Sequence, residues 1–268
     1  MATRTEYAGG KMLADVDGAI GIMTFNQPEK RNAVSIEMWS GVAEILDRFE
    51  ADDQVRVAIL AGAGDKAFVS GADISQFDKQ RSNAEAREEY ARLTGVGRDR
   101  LKTFSKPMIA RINGYCIGGG LAIAMQTDLR VASENSSFGI PAARLGIAYS
   151  PDSVEQLITL VGPARARMML YTAERIDAQE AERVGLINRC VPAGELDQTV
   201  RQLAETIAGN APLSVAAARH AITEIGKPAT ERDIAAINAA VARCYDSEDY
   251  REGRQAFKEK RTPNFAGR

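Results

Sequence analysis

The chain has 268 residues, enough for one large domain or one domain with a smaller appendage. Hydrophobic residues make up 45% and charged residues 26%, a globular composition that excludes a disordered chain. A formal net charge of −2 leaves no global basic footprint for nucleic acid, so an anionic ligand needs a local cationic site.

Met1–Lys11 is polar and holds no long apolar run, which is not the pattern of a secretory signal. Met12–Val16 and Ala19–Phe25 are apolar runs joined by Asp17-Gly18, a dipeptide suited to a hairpin turn. Met38, Trp39, Val42, Ile45, Leu46 and Phe49 recur at three- and four-residue steps and predict an amphipathic helix. Val55–Ala61 reads as a strand, after which Gly62, Gly64 and Gly71 break regular structure. Ala84–Arg100 reads as a polar helix without an apolar stripe.

Pro107–Ile112 is a further strand, followed by Gly118-Gly119-Gly120 and a helical run at Leu121–Met125. Leu129–Ala132 is a fourth strand; Ala164–Thr172 and Ala178–Arg183 are helices. Asp177 and Glu180 form a capping-box signature for the second of these, and Gly185 is its stop. From Leu196 onward only helices are predicted, with Ile234, Ile237, Val241 and Cys244 on one face of Glu231–Tyr245. Strands alternating with helices, then helices alone, imply an α/β core over residues 1–196 and a helical region over 197–268. The sole histidine, His220, lies in the apolar stretch Leu213–Ile225 and reads as structural, which leaves no multi-His metal site. Cys116, Cys190 and Cys244 are too widely spaced for a zinc site or a disulfide framework. No apolar run reaches membrane-spanning length, so the expectation is a soluble, cytoplasmic protein with no membrane partner.

Two glycine loops are candidates for chemistry. Gly62-Ala63-Gly64-Asp65-Lys66-Ala67 superficially matches a dinucleotide fingerprint, but no helix opens directly after it, and no Gly-Lys-Ser/Thr marks a phosphate loop. Gly118-Gly119-Gly120 stands between a strand and a helix. It permits a close ligand approach and directs free amides at whatever sits there, which suits a developing oxyanion. By itself the triplet reads equally as a packing turn.

The two loops together carry a resemblance. Phe68-Val69-Ser70-Gly71-Ala72-Asp73-Ile74, Lys106–Gly114 and Gly118-Gly119-Gly120 follow in order. Asp128–Ala132, Phe138-Gly139-Ile140-Pro141, Arg144-Leu145-Gly146, Ala181–Ile187, Glu252-Gly253 and Phe257–Arg261 come after them. This series resembles the crotonase (enoyl-CoA hydratase/isomerase) family from about Ala14 to Phe265. The resemblance implies an α/β spiral of β-β-α units with a helical C-terminal trimerisation region, assembled as a homotrimer or dimer of trimers. It implies an acyl-CoA substrate, CoA arriving as a thioester and not as a cofactor. It places the oxyanion-hole amides at Ala72 and Gly119. It lines the CoA site with Lys30, Arg31, Ala33, Gly71, Asp73 and Ile74, and adds Phe257 and Lys260, often from a neighbouring subunit. Ala84–Arg100 would help form the acyl pocket.

At two positions where a family hydratase carries glutamate, this chain has Ala122 and Ala142. Adding water to a double bond needs a positioned base and acid, and a methyl group is neither. Three replacements stand nearby. Tyr149, in Leu145–Tyr149, resembles the tyrosine of a decarboxylase branch. Ser150 occupies the place of an acidic base in some isomerases of the family. Asp152 reads first as a helix N-cap and second as an isomerase base. Arg144 reads as a carboxylate ligand or a structural ion pair. Decarboxylation or isomerisation is therefore expected over simple hydration. The alternatives are a hydratase with relocated acid/base groups and an acyl-CoA-binding protein with vestigial catalysis.

Overall fold

The computed structural model describes residues 4–73 and 84–268. Strands β1 (Thr5–Tyr7), β2 (Met12–Asp17) and β3 (Ile20–Phe25) form an antiparallel meander. Asp17 pairs with Ile20, so the turn is Gly18-Ala19 and not the expected Asp17-Gly18; Gly18 takes φ +59°. β4 (Val57–Gly62), β6 (Met108–Ile112), β8 (Leu129–Ser133) and β11 (Arg189–Val191) extend the sheet in parallel, in the order β1-β2-β3-β4-β6-β8-β11.

A second sheet has the order β10-β9-β7-β5, from β5 (Ala67–Val69), β7 (Tyr115–Ile117), β9 (Ser137–Gly139) and the antiparallel edge β10 (Arg175–Asp177). None of its strands was anticipated from the sequence. Each has three residues, too few to show alternation. Helices α1 (Ile36–Ala51), α2 (Ala84–Thr103), α3 (Gly119–Met125) and α4 (Pro151–Thr172) intervene. The chain thus visits the large sheet, the small sheet and a helix in turn (β4, β5, α2; β6, β7, α3; β8, β9, α4), which is the expected spiral of β-β-α units.

Buried β4 shows how the layers are built. Its Ala58 and Leu60 enter the main core with Phe25, Phe49, Phe68, Phe104 and Phe138. Val57 and Ile59 face the other way, joining Ile20, Ile109 and Val131. α6 (Leu196–Gly209) covers that outer face with Leu196, Val200, Ala204 and Ala208, a stripe at four-residue spacing. The first helix of the C-terminal region is therefore packed on the sheet.

Two helices depart from expectation. α2 does bury a face, made of Tyr90, Thr94, Gly97 and Leu101. A Cβ at Gly97 would run into Trp39 O, so glycine lets α2 close on α1; a stripe of such mixed types carries no hydropathy signal. α4 starts at Pro151, well before Ala164, and bends at Gly162 (φ +74°) followed by Pro163. Helix α5 (Ala178–Arg183) has the expected cap, with Glu180 N–H donating to Asp177 Oδ1 at 2.8 Å. Helices α7 (Pro212–Gly226), α8 (Ile234–Asp246) and α9 (Glu248–Glu259) complete the chain. Half-buried His220 lies on α7. Among the described residues no helix is long and apolar enough to cross a membrane.

Candidate active site

The site begins with a loop that Asn32 locks in place. Asn32 takes φ +56°, and its side chain is fully buried. Its Oδ1 accepts from Gln27 N–H at 3.0 Å, while Nδ2 donates to Ala63 O at 2.9 Å and Ala67 O at 2.8 Å. A Cβ at Gly62 would lie 2.7 Å from Asn32 Nδ2, so the Gly62-Ala63-Gly64 segment serves this junction. Strand β5 follows it where a dinucleotide loop would open into a helix. Sequence reading missed Asn32, because nothing local distinguishes a buried asparagine from a solvated one.

This loop runs alongside the Gly71 segment. Ser70 N–H donates to Arg31 O (3.1 Å), Val34 N–H to Gly71 O (2.8 Å) and Asp73 N–H to Val34 O (3.0 Å). Lys30, Arg31 and Ala33 are thereby brought beside Gly71, Ala72 and Asp73. Lys30 Nζ lies 2.8 Å from Asp73 Oδ2, a hydrogen-bonded ion pair that raises the Lys30 pKa. The Arg31 guanidinium sits 5.3 Å from the Tyr115 ring centroid, and Arg175 sits 5.4 Å from the same ring. Ile74 lies outside the described residues.

Each glycine of the triplet has a separate reason to be glycine. Gly118 has φ +54° and ψ −113°, a backbone state that side chains disfavour. A Cβ at Gly120 would run into the backbone carbonyl of Val69, so this residue lets α3 pack on β5. Gly119 has no such obstruction: its nearest neighbour would be Ala72 N, 3.6 Å from an added Cβ. The space beside Gly119 therefore adjoins the Gly71–Ala72 peptide. Gly71, at φ +121°, turns the chain just before Ala72.

Among the described residues neither Ala72 N–H nor Gly119 N–H has an acceptor, and Gly119 is exposed. Two amides without acceptors therefore lie near each other, that of Gly119 at the N-terminus of α3.

The acid/base candidates are placed differently from one another. Half-buried Tyr149 donates its hydroxyl to Gly118 O at 3.0 Å. Burial, with Cys116 close by, pushes its pKa above the ordinary phenol value, while Arg98 and a hydrogen bond with Ser153 pull the other way. Arg98 stacks over Trp39 (5.3 Å) and Tyr90 (6.0 Å). Ser150 is the N-cap of α4, and its hydroxyl donates to Ser153 Oγ at 2.9 Å. Asp152 is therefore not the N-cap that the sequence indicated, since the cap is Ser150, two residues earlier. It lies in the first helical turn, exposed and ion-paired with Lys102 of α2, which lowers its pKa. Arg144 is exposed.

Ala122 is half-buried in the first turn of α3, and Ala142 is buried just after Pro141. Pro141 Cδ would contact a Cβ at Gly118 at 3.7 Å, so both alanines border the glycine loop.

Phe257 and Lys260 are not tied to this cluster by any hydrogen bond or ion pair among the described residues. Phe257 is 87% exposed on α9, and Lys260 caps that helix at φ +55°. Phe257 lines a groove of about 720 Å³ together with Val241, Tyr245, Tyr250 and Phe265 among others. Among the described residues no cluster of three or more His, Cys, Asp or Glu side chains could hold a metal ion.

Comparison with known proteins shows the family and the fold. The family description "Enoyl-CoA hydratase/isomerase" matches residues 15–268. A short-chain-enoyl-CoA hydratase of Clostridium acetobutylicum is 35% identical over 250 residues, 93% of this chain and 95% of that protein. A carnitinyl-CoA dehydratase of Proteus mirabilis is 38% identical over 244 residues, 89% of this chain and 92% of its own. A solved enoyl-CoA hydratase/carnithine racemase from Magnetospirillum magneticum superposes with a TM-score of 0.91 at 34% identity, covering 99% of this chain and 97% of that one. With the fold, the paired loops and these relatives in agreement, the chain belongs to the enoyl-CoA hydratase/isomerase family of acyl-CoA enzymes.

Proposed function

We propose that the protein binds a CoA thioester with its carbonyl oxygen between Ala72 N–H and Gly119 N–H, and catalyses a reaction passing through the thioester enolate. The observation that carries this is the pair of neighbouring amides without acceptors. Fixed donors need no reorganisation as charge develops on the oxygen, and losing one typically costs roughly a hundred- to a thousandfold in rate. Lys30 and Arg31 would meet the CoA phosphates. Phe257 and Lys260 would reach CoA across a subunit boundary in a homotrimer or dimer of trimers.

Decarboxylation of a malonyl-type thioester fits the remaining residues best. The C–C bond to the carboxylate breaks and CO₂ leaves. The electron pair passes to the thioester as enolate, and the α-carbon then takes a proton from water. No base is required to form the enolate, which suits alanine at positions 122 and 142. Isomerisation through Asp152 is less well supported, because that carboxylate is exposed and paired with Lys102.

A second reading, hydration or dehydration with relocated acid/base groups, is favoured by the names of the relatives, which are hydratases and dehydratases. A binding-only role is the third, and the retained amide pair counts against it. The test is parallel turnover of crotonyl-CoA, a 3-enoyl-CoA and methylmalonyl-CoA, followed by mass spectrometry. Loss of CO₂ with hydration at background supports the proposal. Brisk hydration of crotonyl-CoA overturns it in favour of the second reading, and no turnover of any acyl-CoA leaves binding alone.

A further inference from the structure

We infer that Tyr149 is a positioning residue of the oxyanion hole, acting on the Gly118–Gly119 peptide group and not on the substrate. The inference rests on the reading of this site as one for a thioester carbonyl.

Gly118 O accepts two hydrogen bonds, from the Tyr149 hydroxyl at 3.0 Å and from Ala122 N–H at 3.0 Å. A carbonyl oxygen has two lone pairs, and here each has a donor. The nitrogen of this same peptide group is Gly119 N, whose hydrogen has no acceptor among the described residues. Amide resonance couples the two ends: density drawn to the oxygen leaves the N–H more positive and a stronger donor. Hydrogen bonds in series strengthen one another by roughly 10–30% per bond. The relay therefore runs from phenol to carbonyl, through the peptide, and from N–H to the bound oxygen. Ala122 makes the bond that any first helical turn makes; the phenol is the added element.

The surroundings hold that peptide in place. Gly118 N–H donates to Gly139 O at 2.8 Å, and Pro141 packs beside the Gly118 Cα. Gly118 also has backbone freedom that other residues lack, so the peptide plane needs a restraint at its carbonyl. The Tyr149 hydroxyl supplies one from the segment leading into α4. A phenol whose proton points at Gly118 O is also poorly placed to protonate an α-carbon. The Ser153 hydroxyl, which accepts from Ser150 Oγ at 2.9 Å, also hydrogen-bonds the Tyr149 hydroxyl and steadies the phenol from the first turn of α4.

The experiment uses acetyl-CoA labelled with ¹³C at the thioester carbonyl, bound to the full-length protein, with the carbonyl resonance read by NMR. Binding to the parent should move the resonance downfield from its free position, as donors polarise the carbonyl. In Tyr149→Phe the displacement should shrink by roughly 10–30%, with acetyl-CoA affinity held within about twofold. Difluorotyrosine at position 149, a stronger donor of similar size, should enlarge it. That second variant keeps the test intact if Tyr149→Phe folds poorly. Displacements equal in all three proteins overturn the inference, as does a loss of affinity beyond tenfold, which would show direct contact with the ligand. No displacement in the parent means that the thioester reading itself has failed, and the inference with it.

Discussion

Lys30 and Asp73 stand 43 positions apart in the chain, yet Lys30 Nζ lies 2.8 Å from Asp73 Oδ2. The pair joins the loop proposed to meet CoA to the segment that carries Ala72, so the proposed phosphate contact and the proposed oxyanion donor are held in one frame. The pair is about half exposed on the lysine side, and such pairs contribute little to stability.

Lys30→Ala should therefore leave the melting temperature almost unchanged while raising KM for an acyl-CoA by about 2- to 10-fold. Added salt should weaken binding to the parent more than to the variant, because the lost contact is ionic. A KM unaffected at low ionic strength would remove Lys30 from the CoA site.

Gly119→Ala separates catalysis from folding. Its backbone is outside the left-handed region, and an added Cβ meets nothing closer than 3.6 Å. Stability should hold or rise by up to about 1 kcal/mol, since alanine suits a helix better than glycine. The methyl group would occupy the space beside Ala72 N, so kcat/KM should fall by about a hundredfold or more. Gly120→Ala is the contrasting variant. Its Cβ would strike the Val69 carbonyl, so thermal denaturation should show a loss of roughly 1–3 kcal/mol.

Ala122→Glu with Ala142→Glu tests whether the missing carboxylates decide the reaction. The double variant should hydrate crotonyl-CoA faster than the parent. It should also be less stable, because Ala142 is buried and a carboxylate there must be desolvated. Parent-level hydration in a folded double variant would mean that other geometry blocks the reaction.

Asp152→Asn should change turnover by less than about twofold, since its carboxylate is exposed and held by Lys102. A loss beyond about a hundredfold would restore the isomerase reading, because general acid–base groups act on that scale.

The C-terminal segment carries an acid-sensitive clasp. Glu252 accepts from Arg261 Nη1 (2.6 Å) and Nη2 (2.8 Å) and from Asn264 N–H (2.8 Å), which lowers its pKa to about 2. A depressed carboxylate pKa means that the clasp is fully present above the ordinary value near 4.5 and is lost as pH falls towards about 2. Carboxyl titration by NMR should give a Glu252 midpoint near 2, moving back towards 4.5 in Arg261→Ala. A midpoint near 4.5 in the parent would show that the clasp does not form.

Legibility followed the length over which information is encoded. The β2–β3 hairpin, α1 and the long parallel strands show in apolar-rich runs of four or more residues, because one face or both are buried, whereas the three-residue β1 does not. The small sheet is invisible at that scale. β7 reads Tyr-Cys-Ile and β9 reads Ser-Phe-Gly, and only their mutual pairing makes them strands. α2 concealed its buried face because tyrosine, threonine and glycine share it with a single leucine, Leu101. At the site, glycine exposes its role locally, whereas Tyr149, Ser150 and Asp152 differ only in what they face.

The sequence by itself determined the family, the alternation of sheet strands and helices, and the two glycine loops. Positive-φ turns and close approaches demand glycine at fixed positions, and that demand is written residue by residue. Tertiary structure alone decided that Gly119 adjoins the Gly71–Ala72 peptide, that Asn32 locks the Lys30 loop, and that Tyr149 bonds Gly118 while Asp152 turns outward to Lys102. Those relations join segments distant in the chain. Their energies come from burial and from hydrogen bonds satisfied across elements, which no local pattern of residues records.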